Sequence, residues 1–122
     1  MKPYLVILAL FLGAGPGKAF VSKNNLLVEP TGRQSFHVPY RGESGIAAFW
    51  CAAGDYVVRE LGRSNATLIY RTSSLPRRSG QGVDFSLSPE RAKPSGLVIL
   101  GSGKGVTAGH ARGICNAWHL RD

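Results

Sequence analysis

The sequence predicts an α+β fold in which one long helix packs on a small antiparallel sheet, in two layers closed by a disulfide. Three observations lead to this fold class. Apolar residues recur at three- and four-residue steps in one stretch, residues 44–62. Short segments on both sides of it alternate apolar and polar residues every two positions. The two cysteines, Cys51 and Cys115, lie far apart in the chain.

The chain begins with the pattern of a secretory signal peptide. Lys2 precedes the apolar run in "PYLVILALFLGAG", and the small residues Gly17 and Ala19 follow it. The run is only about a dozen residues long, whereas roughly 20 are needed to span a bilayer, so a retained membrane anchor is the less favoured interpretation. We therefore predict that residues 1–19 form a cleaved signal peptide and that residues 20–122 form one small domain, periplasmic or secreted.

The sequence is basic, with 15 Lys and Arg against 7 Asp and Glu, a formal net charge of +8. Lys2 and Lys18 leave with the signal, so the mature net charge is about +6. This surplus favours an anionic envelope component, such as a lipid headgroup or a polysaccharide, as partner. Because most arginines are scattered, a surface charge that merely keeps a monomer in solution is the alternative. The candidate anion-binding residues are the adjacent Arg77 and Arg78, and Lys104 in a glycine-rich loop.

The first predicted elements after the signal are two strands joined by a turn. Residues 25–29, "NLLVE", end at Pro30-Thr31-Gly32, and residues 34–40, "QSFHVPY", follow directly. A short turn between two such segments favours a β-hairpin.

The long helix is predicted over residues 44–62, with Ser44 as its N-cap and Gly62 as its stop. Gly54 in its interior predicts the close approach of another backbone, and we expect a strand to cross there. Asp55 and Arg59 are four residues apart, a spacing that favours an ion pair or a hydrogen bond between them near the middle of the helix.

Three further strands are predicted after the helix. They cover residues 66–72, "ATLIYRT", then residues 83–87, "VDFSL", which have the clearest two-residue period in the chain, and finally the apolar residues 97–100. These strands complete a sheet of four or five strands.

The stretch "LVILGSGKGVTAGHARG", residues 97–113, resembles a phosphate-binding loop only superficially. A Walker loop requires a glycine where Val98 stands and a hydroxyl where Gly105 stands. Residues 103–108 fit a dinucleotide fingerprint, but the chain ends too soon for the acidic ribose ligand. We expect no nucleotide and interpret the stretch as a glycine-rich connection that returns Cys115 towards Cys51.

The two cysteines favour a structural disulfide, because an even and minimal count in an exported chain is typical of one. The alternative is a Cys-dependent hydrolase or thiol enzyme in which Cys51 acts with His110 or His119, and Asn116 completes the set. Against this alternative, Cys51 lies about two turns inside the predicted helix, beyond the part of the helix dipole that lowers a thiol pKa.

The remaining residues indicate no cofactor. His37, His110 and His119 lack the close spacing of metal ligands, so no metal site is expected. Aromatic and basic residues do not interleave as they do on single-strand platforms, so no specific nucleic-acid partner is expected.

The segments "FWCAAGDYVVRELG", "ATLIYRT" and "GVDFSLSP", with a late cysteine, resemble small exported alphaproteobacterial proteins of uncharacterised function. The resemblance covers residues 20–115 and is most specific at "WCAAGDY", residues 50–56. It implies a Gram-negative periplasmic setting and a Cys51–Cys115 bond, and it implies no catalytic residue. The sequence thus favours a non-enzymatic binding or structural module of the cell envelope.

Overall fold

The computed structural model describes residues 19–41, 45–73, 81–97 and 104–120, the last four without their side chains. Within these residues, six strands form one antiparallel sheet in the order β1-β2-β3-β5-β4-β6. The strands are β1 (Phe20–Val21), β2 (Leu27–Pro30), β3 (Ser35–Val38), β4 (Leu68–Arg71), β5 (Val83–Ser86) and β6 (Val106–Thr107).

The predicted hairpin is confirmed as β2 and β3, and the predicted strands at 66–72 and 83–87 are confirmed as β4 and β5. Of the last predicted strand, Leu97 lies in a bend, and residues 98–100 lie outside the described residues. In the centre of the sheet, Phe36 pairs with Phe85 and Val38 pairs with Val83, and all four side chains are buried. Strand alternation therefore sends one apolar face into the core.

The predicted long helix is confirmed as α1 (Ile46–Asp55), which continues as a π-helical segment over Tyr56–Glu60. Gly62 ends it in the left-handed region, with φ of 67°. Gly45 occupies the N-cap position, and the predicted cap, Ser44, lies outside the described residues. Trp50 contacts Phe85 edge to face at 4.8 Å between ring centroids, and this contact packs α1 on the inner face of the sheet.

A second helix, α2 (Ala108–Leu120), forms directly after β6 where the sequence predicted a glycine-rich connection, so that interpretation is wrong for residues 106–113. Local propensity argued against a helix because Gly109 and Gly113 are poor helix formers. The carbonyls of Thr67 and Asn65 accept the backbone N–H groups of Ala108 and Gly109, so the loop before β4 satisfies amides at the start of α2. The α+β class with a disulfide is confirmed, and α2 is added to it.

The close approach predicted at Gly54 is confirmed, but the element that crosses there is helix α2 and not a strand. A Cβ atom on Gly54 would lie 2.7 Å from the Cβ of Ala111 and 2.7 Å from the backbone nitrogen of Arg112. Distances this short leave no room for a methyl group, because the backbone cannot move aside as a flexible side chain can. Gly54 therefore sets how closely α1 and α2 pack.

We expect Gly54→Ala to lower the free energy of unfolding by about 1–2 kcal/mol, although alanine is the better helix former. Gly113→Ala is the matched control, since Gly113 is an exposed glycine on α2 with nothing within 4 Å of its Cβ position. That substitution should raise stability by about 0.5–1 kcal/mol. Urea denaturation of both variants measures the difference, and equal effects of the two would contradict the close packing at Gly54.

Candidate functional site

The two cysteines form a buried disulfide that joins α1 to α2. The Sγ atoms of Cys51 and Cys115 are 2.01 Å apart, the Cα atoms are 5.0 Å apart, and the residues are 1% and 4% exposed. This confirms the predicted pairing. His110 is exposed on α2, whereas both cysteines are buried, and the side chain of His119 lies outside the described residues. A thiolate nucleophile requires a free Cys51, and in this structure Cys51 is bonded.

The stretch "WCAAGDY", residues 50–56, is buried throughout. The indole nitrogen of Trp50 donates to the carbonyl of Ser95 at 2.9 Å, which holds the segment after β5 over the helix. Ala52 and Ala53 have no exposed surface. Each residue of the stretch has a packing or pairing partner in the core, so its specific pattern is explained by the architecture.

The carboxylate of Asp55 is fully buried and joins three parts of the chain. It accepts hydrogen bonds from Nε and Nη2 of Arg59 at 2.8 and 2.6 Å, and from the backbone N–H of Lys23 at 3.0 Å. Nε of Arg112, on α2, lies 3.4 Å from it. Burial opposes ionisation, but the hydrogen bonds from Arg59 and Lys23 and the two guanidinium charges hold the pKa of Asp55 below its ordinary 3.8.

The ion pair predicted between Asp55 and Arg59 is confirmed, and the same arginine also secures the amino-terminal strand. The guanidinium carbon of Arg59 lies 4.9 Å from the centroid of the Phe20 ring, and the Phe20 ring contacts Tyr56 edge to face at 5.5 Å. Phe20, the first residue after the predicted cleavage point, is therefore part of the packed domain.

Arg71 lies on the buried side of β4 and is only 4% exposed. Its Nε donates to the carbonyl of Pro94 at 3.1 Å, and its terminal nitrogens donate to the carbonyls of Pro94 and Ser73. Burial lowers the pKa of Arg71. Because backbone carbonyls occupy its donors, this arginine fastens the segment after β5 to the sheet and does not face a ligand.

Of the candidate anion-binding residues, Lys104 is exposed, while Arg77 and Arg78 lie outside the described residues. The structure adds a basic groove that was not predicted: Arg33 and Arg63, both exposed, line a groove of about 600 Å³ together with Gln34. Arg33 lies in the turn between β2 and β3, and Arg63 follows the π-helical segment. A sequence signal was present, because each arginine directly follows a turn glycine, Gly32 or Gly62.

Within the described residues, neither Arg33 nor Arg63 has a carboxylate within ion-pair distance. Arg59 and Arg112, by contrast, both face Asp55. The two guanidinium groups of the basic groove are therefore available to an external anion.

Two other features bear on the candidate sites. No three His, Cys, Asp or Glu side chains converge on a metal-sized site anywhere in the part of the chain that the structure describes. Over the same residues, neither helix combines the length and the hydropathy that crossing a membrane requires.

No family model matches the chain, and neither the curated proteins nor the solved structures contain a significant match to it. Inferences about function therefore depend on the geometry and charge of the residues described above.

Proposed function

We propose that this protein is an exported, non-enzymatic binding module that uses a basic surface to engage an anionic component of the cell envelope. The observation that carries the proposal is the pair of exposed arginines, Arg33 and Arg63, in one groove without a carboxylate partner among the described residues. Arg77, Arg78 and Lys104 belong to the same proposal as further basic residues.

Two observations support the export part of the proposal. The disulfide is buried between two helices, and stable structural disulfides are typical of oxidising compartments. Cleavage after Ala19 would make Phe20 the first residue of the mature chain. Phe20 could then keep its place in β1 and its contacts with Tyr56 and Arg59. The resemblance to exported alphaproteobacterial proteins that the sequence suggests would imply a periplasmic location, and this location is part of the proposal.

The choice of an anion follows from the chemistry of the groove. A guanidinium group presents a planar fork of donors that matches a carboxylate or a phosphate, and it stays charged at any physiological pH. Arg33 and Arg63 come from different turns, so an anionic ligand in the groove would be held from two sides. Phosphate groups of lipids and of envelope polysaccharides share this chemistry, and the experiment below separates them.

We expect the double variant Arg33→Glu/Arg63→Glu to bind anionic vesicles at least tenfold more weakly than the wild type. Each basic residue near an anionic surface contributes about 1 kcal/mol, and the introduced carboxylates add repulsion. Sedimentation with phosphatidylcholine vesicles, with and without phosphatidylglycerol, measures binding at several salt concentrations, and lipopolysaccharide forms the second arm. Binding to the phosphatidylglycerol vesicles alone would identify a lipid phosphate as the ligand, and binding to lipopolysaccharide alone would identify a polysaccharide phosphate.

The matched control is Lys23→Glu/Lys93→Glu, which changes the net charge equally at two exposed lysines outside the groove. Its affinity should fall much less. The variant Arg77→Glu/Arg78→Glu, tested alongside, measures what these two adjacent arginines contribute. If the groove variant and the control lost affinity equally, or if wild-type binding did not weaken with salt, the proposed basic groove would be wrong.

The alternative function is that of a Cys-dependent hydrolase or thiol enzyme that uses Cys51 with His110 or His119. It requires Cys51 to be free in the native compartment, whereas a bond to Cys115 removes the nucleophile.

Intact-mass analysis of protein recovered from its native compartment tests both the export and the thiol alternative. We expect a chain that begins at Phe20, takes up no alkylating agent before reduction and takes up two adducts after reduction in denaturant. Free thiols before reduction would favour the enzyme instead. A chain that begins at Met1 would contradict cleavage of the signal peptide.

A further inference from the structure

The outer face of the sheet, opposite α1, carries a groove lined by hydroxyl groups. The groove measures about 430 Å³, within the range of about 300–1,000 Å³ that is usual for small-molecule sites. It forms because the outward positions of neighbouring strands carry short side chains: Ser35 on β3 pairs directly with Ser86 on β5. The hydroxyl side chains that line it are Thr31, Ser35, Thr72, Ser86 and Ser88.

Much of the hydrogen-bonding capacity of these hydroxyls is unused. The Oγ of Ser35 accepts a hydrogen bond from Thr31, and the Oγ of Ser86 accepts one from the backbone N–H of Ser88 at 2.9 Å. Each of these two serines therefore keeps its own O–H as a donor. Within the described residues, the hydroxyl of Thr72 has no hydrogen-bond partner. The groove thus presents several oriented donors and acceptors in a small area.

The charged residues of the groove differ from the rest of this basic protein. Among the described residues, Asp84 and Glu90 line it with a single cation, Arg91. One oxygen of Asp84 contacts Nδ1 of His37 at 2.6 Å, which fixes the carboxylate while it stays half exposed on the strand. With two carboxylates and one guanidinium among these residues, the groove disfavours an anion by charge repulsion. The same carboxylates can accept hydrogen bonds from neutral hydroxyl groups.

We propose that this groove, the hydroxyl groove, binds a neutral saccharide. Sugar hydroxyls both donate and accept, and a carboxylate such as that of Asp84 can accept from two adjacent sugar hydroxyls at once. Serine and threonine hydroxyls complement the remaining polar groups of the ring. The hydroxyl groove shares no residue with the basic groove of Arg33 and Arg63, so this proposal goes beyond the proposed function and can fail independently of it.

The test titrates the oxidised, full mature chain with two neutral probes, maltotriose and tri-N-acetylchitotriose, up to millimolar concentrations, and follows backbone amide chemical shifts. We expect at least one probe to shift amides around Ser86, Asp84 and Thr72. The variants Asp84→Asn and Thr72→Val/Ser86→Ala should each weaken that binding about tenfold, because hydrogen bonds to the ligand are lost. An anionic comparator, trigalacturonic acid, should bind more weakly than the neutral probe.

The matched control is Thr67→Val, which removes a half-buried threonine hydroxyl outside the groove and should leave the affinity unchanged. All variants are compared by thermal unfolding, so that lost binding is not confused with lost folding. The proposal is overturned if neither neutral probe shifts the groove amides, or if the groove variants bind as tightly as the wild type. It is also overturned if trigalacturonic acid binds more tightly than the neutral probes.

Discussion

Removal of the Cys51–Cys115 disulfide is expected to lower the free energy of unfolding by about 4 kcal/mol. The bond links residues 64 positions apart, and the chain-entropy model assigns about this value to a loop of that length. A domain of this size has a total stability of about 5–15 kcal/mol, so the loss is a large share of it. Urea denaturation of Cys51→Ala/Cys115→Ala, compared with the oxidised wild type, measures the effect.

The reduced wild-type protein is the control for this variant, because it lacks the bond but keeps both sulfur atoms in the core. Its free energy of unfolding should fall by a similar amount. Hydrogen exchange should increase most at the amides of α2, which the disulfide holds against α1. A loss below about 1 kcal/mol in both proteins would contradict a structural role for the bond.

Replacement of Asp55 by asparagine is expected to lower the free energy of unfolding by about 2–4 kcal/mol, because the charged acceptor is lost and the buried amide N–H groups of asparagine would face hydrogen-bond donors. The Asp55 carboxylate accepts hydrogen bonds from Arg59 and from the backbone N–H of Lys23, and it faces Arg112. Its loss therefore weakens the contacts among α1, α2 and the amino-terminal segment. Asp84→Asn is the control, since that carboxylate is 52% exposed and should contribute no more than about 1 kcal/mol.

The same carboxylate predicts how stability depends on pH. The folded-state pKa of Asp55 lies below its ordinary 3.8, so the unfolded chain binds the proton first as the pH falls. The stabilisation from Asp55 is therefore complete above about pH 5 and is lost as the pH falls through the folded pKa. Urea midpoints measured from neutral to acidic pH should fall more steeply for the wild type than for Asp55→Asn. Parallel curves would contradict the ionised state of Asp55.

Local sequence patterns predicted the elements that are formed by contacts between residues close together in the chain. The hairpin of β2 and β3 and the alternation at Val83 and Phe85 follow from short-range periodicity, and so does helix α1. The ion pair of Asp55 with Arg59 was predictable for the same reason, since both residues lie on one helix turn. The disulfide was predictable because the chain has only two cysteines.

Long-range contacts explain what sequence patterns missed. Helix α2 forms despite Gly109 and Gly113 because the loop before β4 accepts its first amides and because the disulfide and Gly54 dock it on α1. The two-residue period of β4 was ambiguous, because it did not indicate which face of the strand is buried. Arg71 lies on the buried face, where its guanidinium donates to the carbonyl of Pro94.

The sequence by itself determined the class of fold, the cysteine pairing and the basic charge, because composition and short-range periodicity set these properties. Only the tertiary structure decided which side chains meet. In the structure, Arg59 and Arg112 face Asp55, and Arg71 donates to the carbonyl of Pro94. Arg33 and Arg63, by contrast, are exposed in the basic groove. The tertiary structure also aligned the hydroxyls of β3 and β5 in one groove, because cross-strand register joins residues that are distant in the chain.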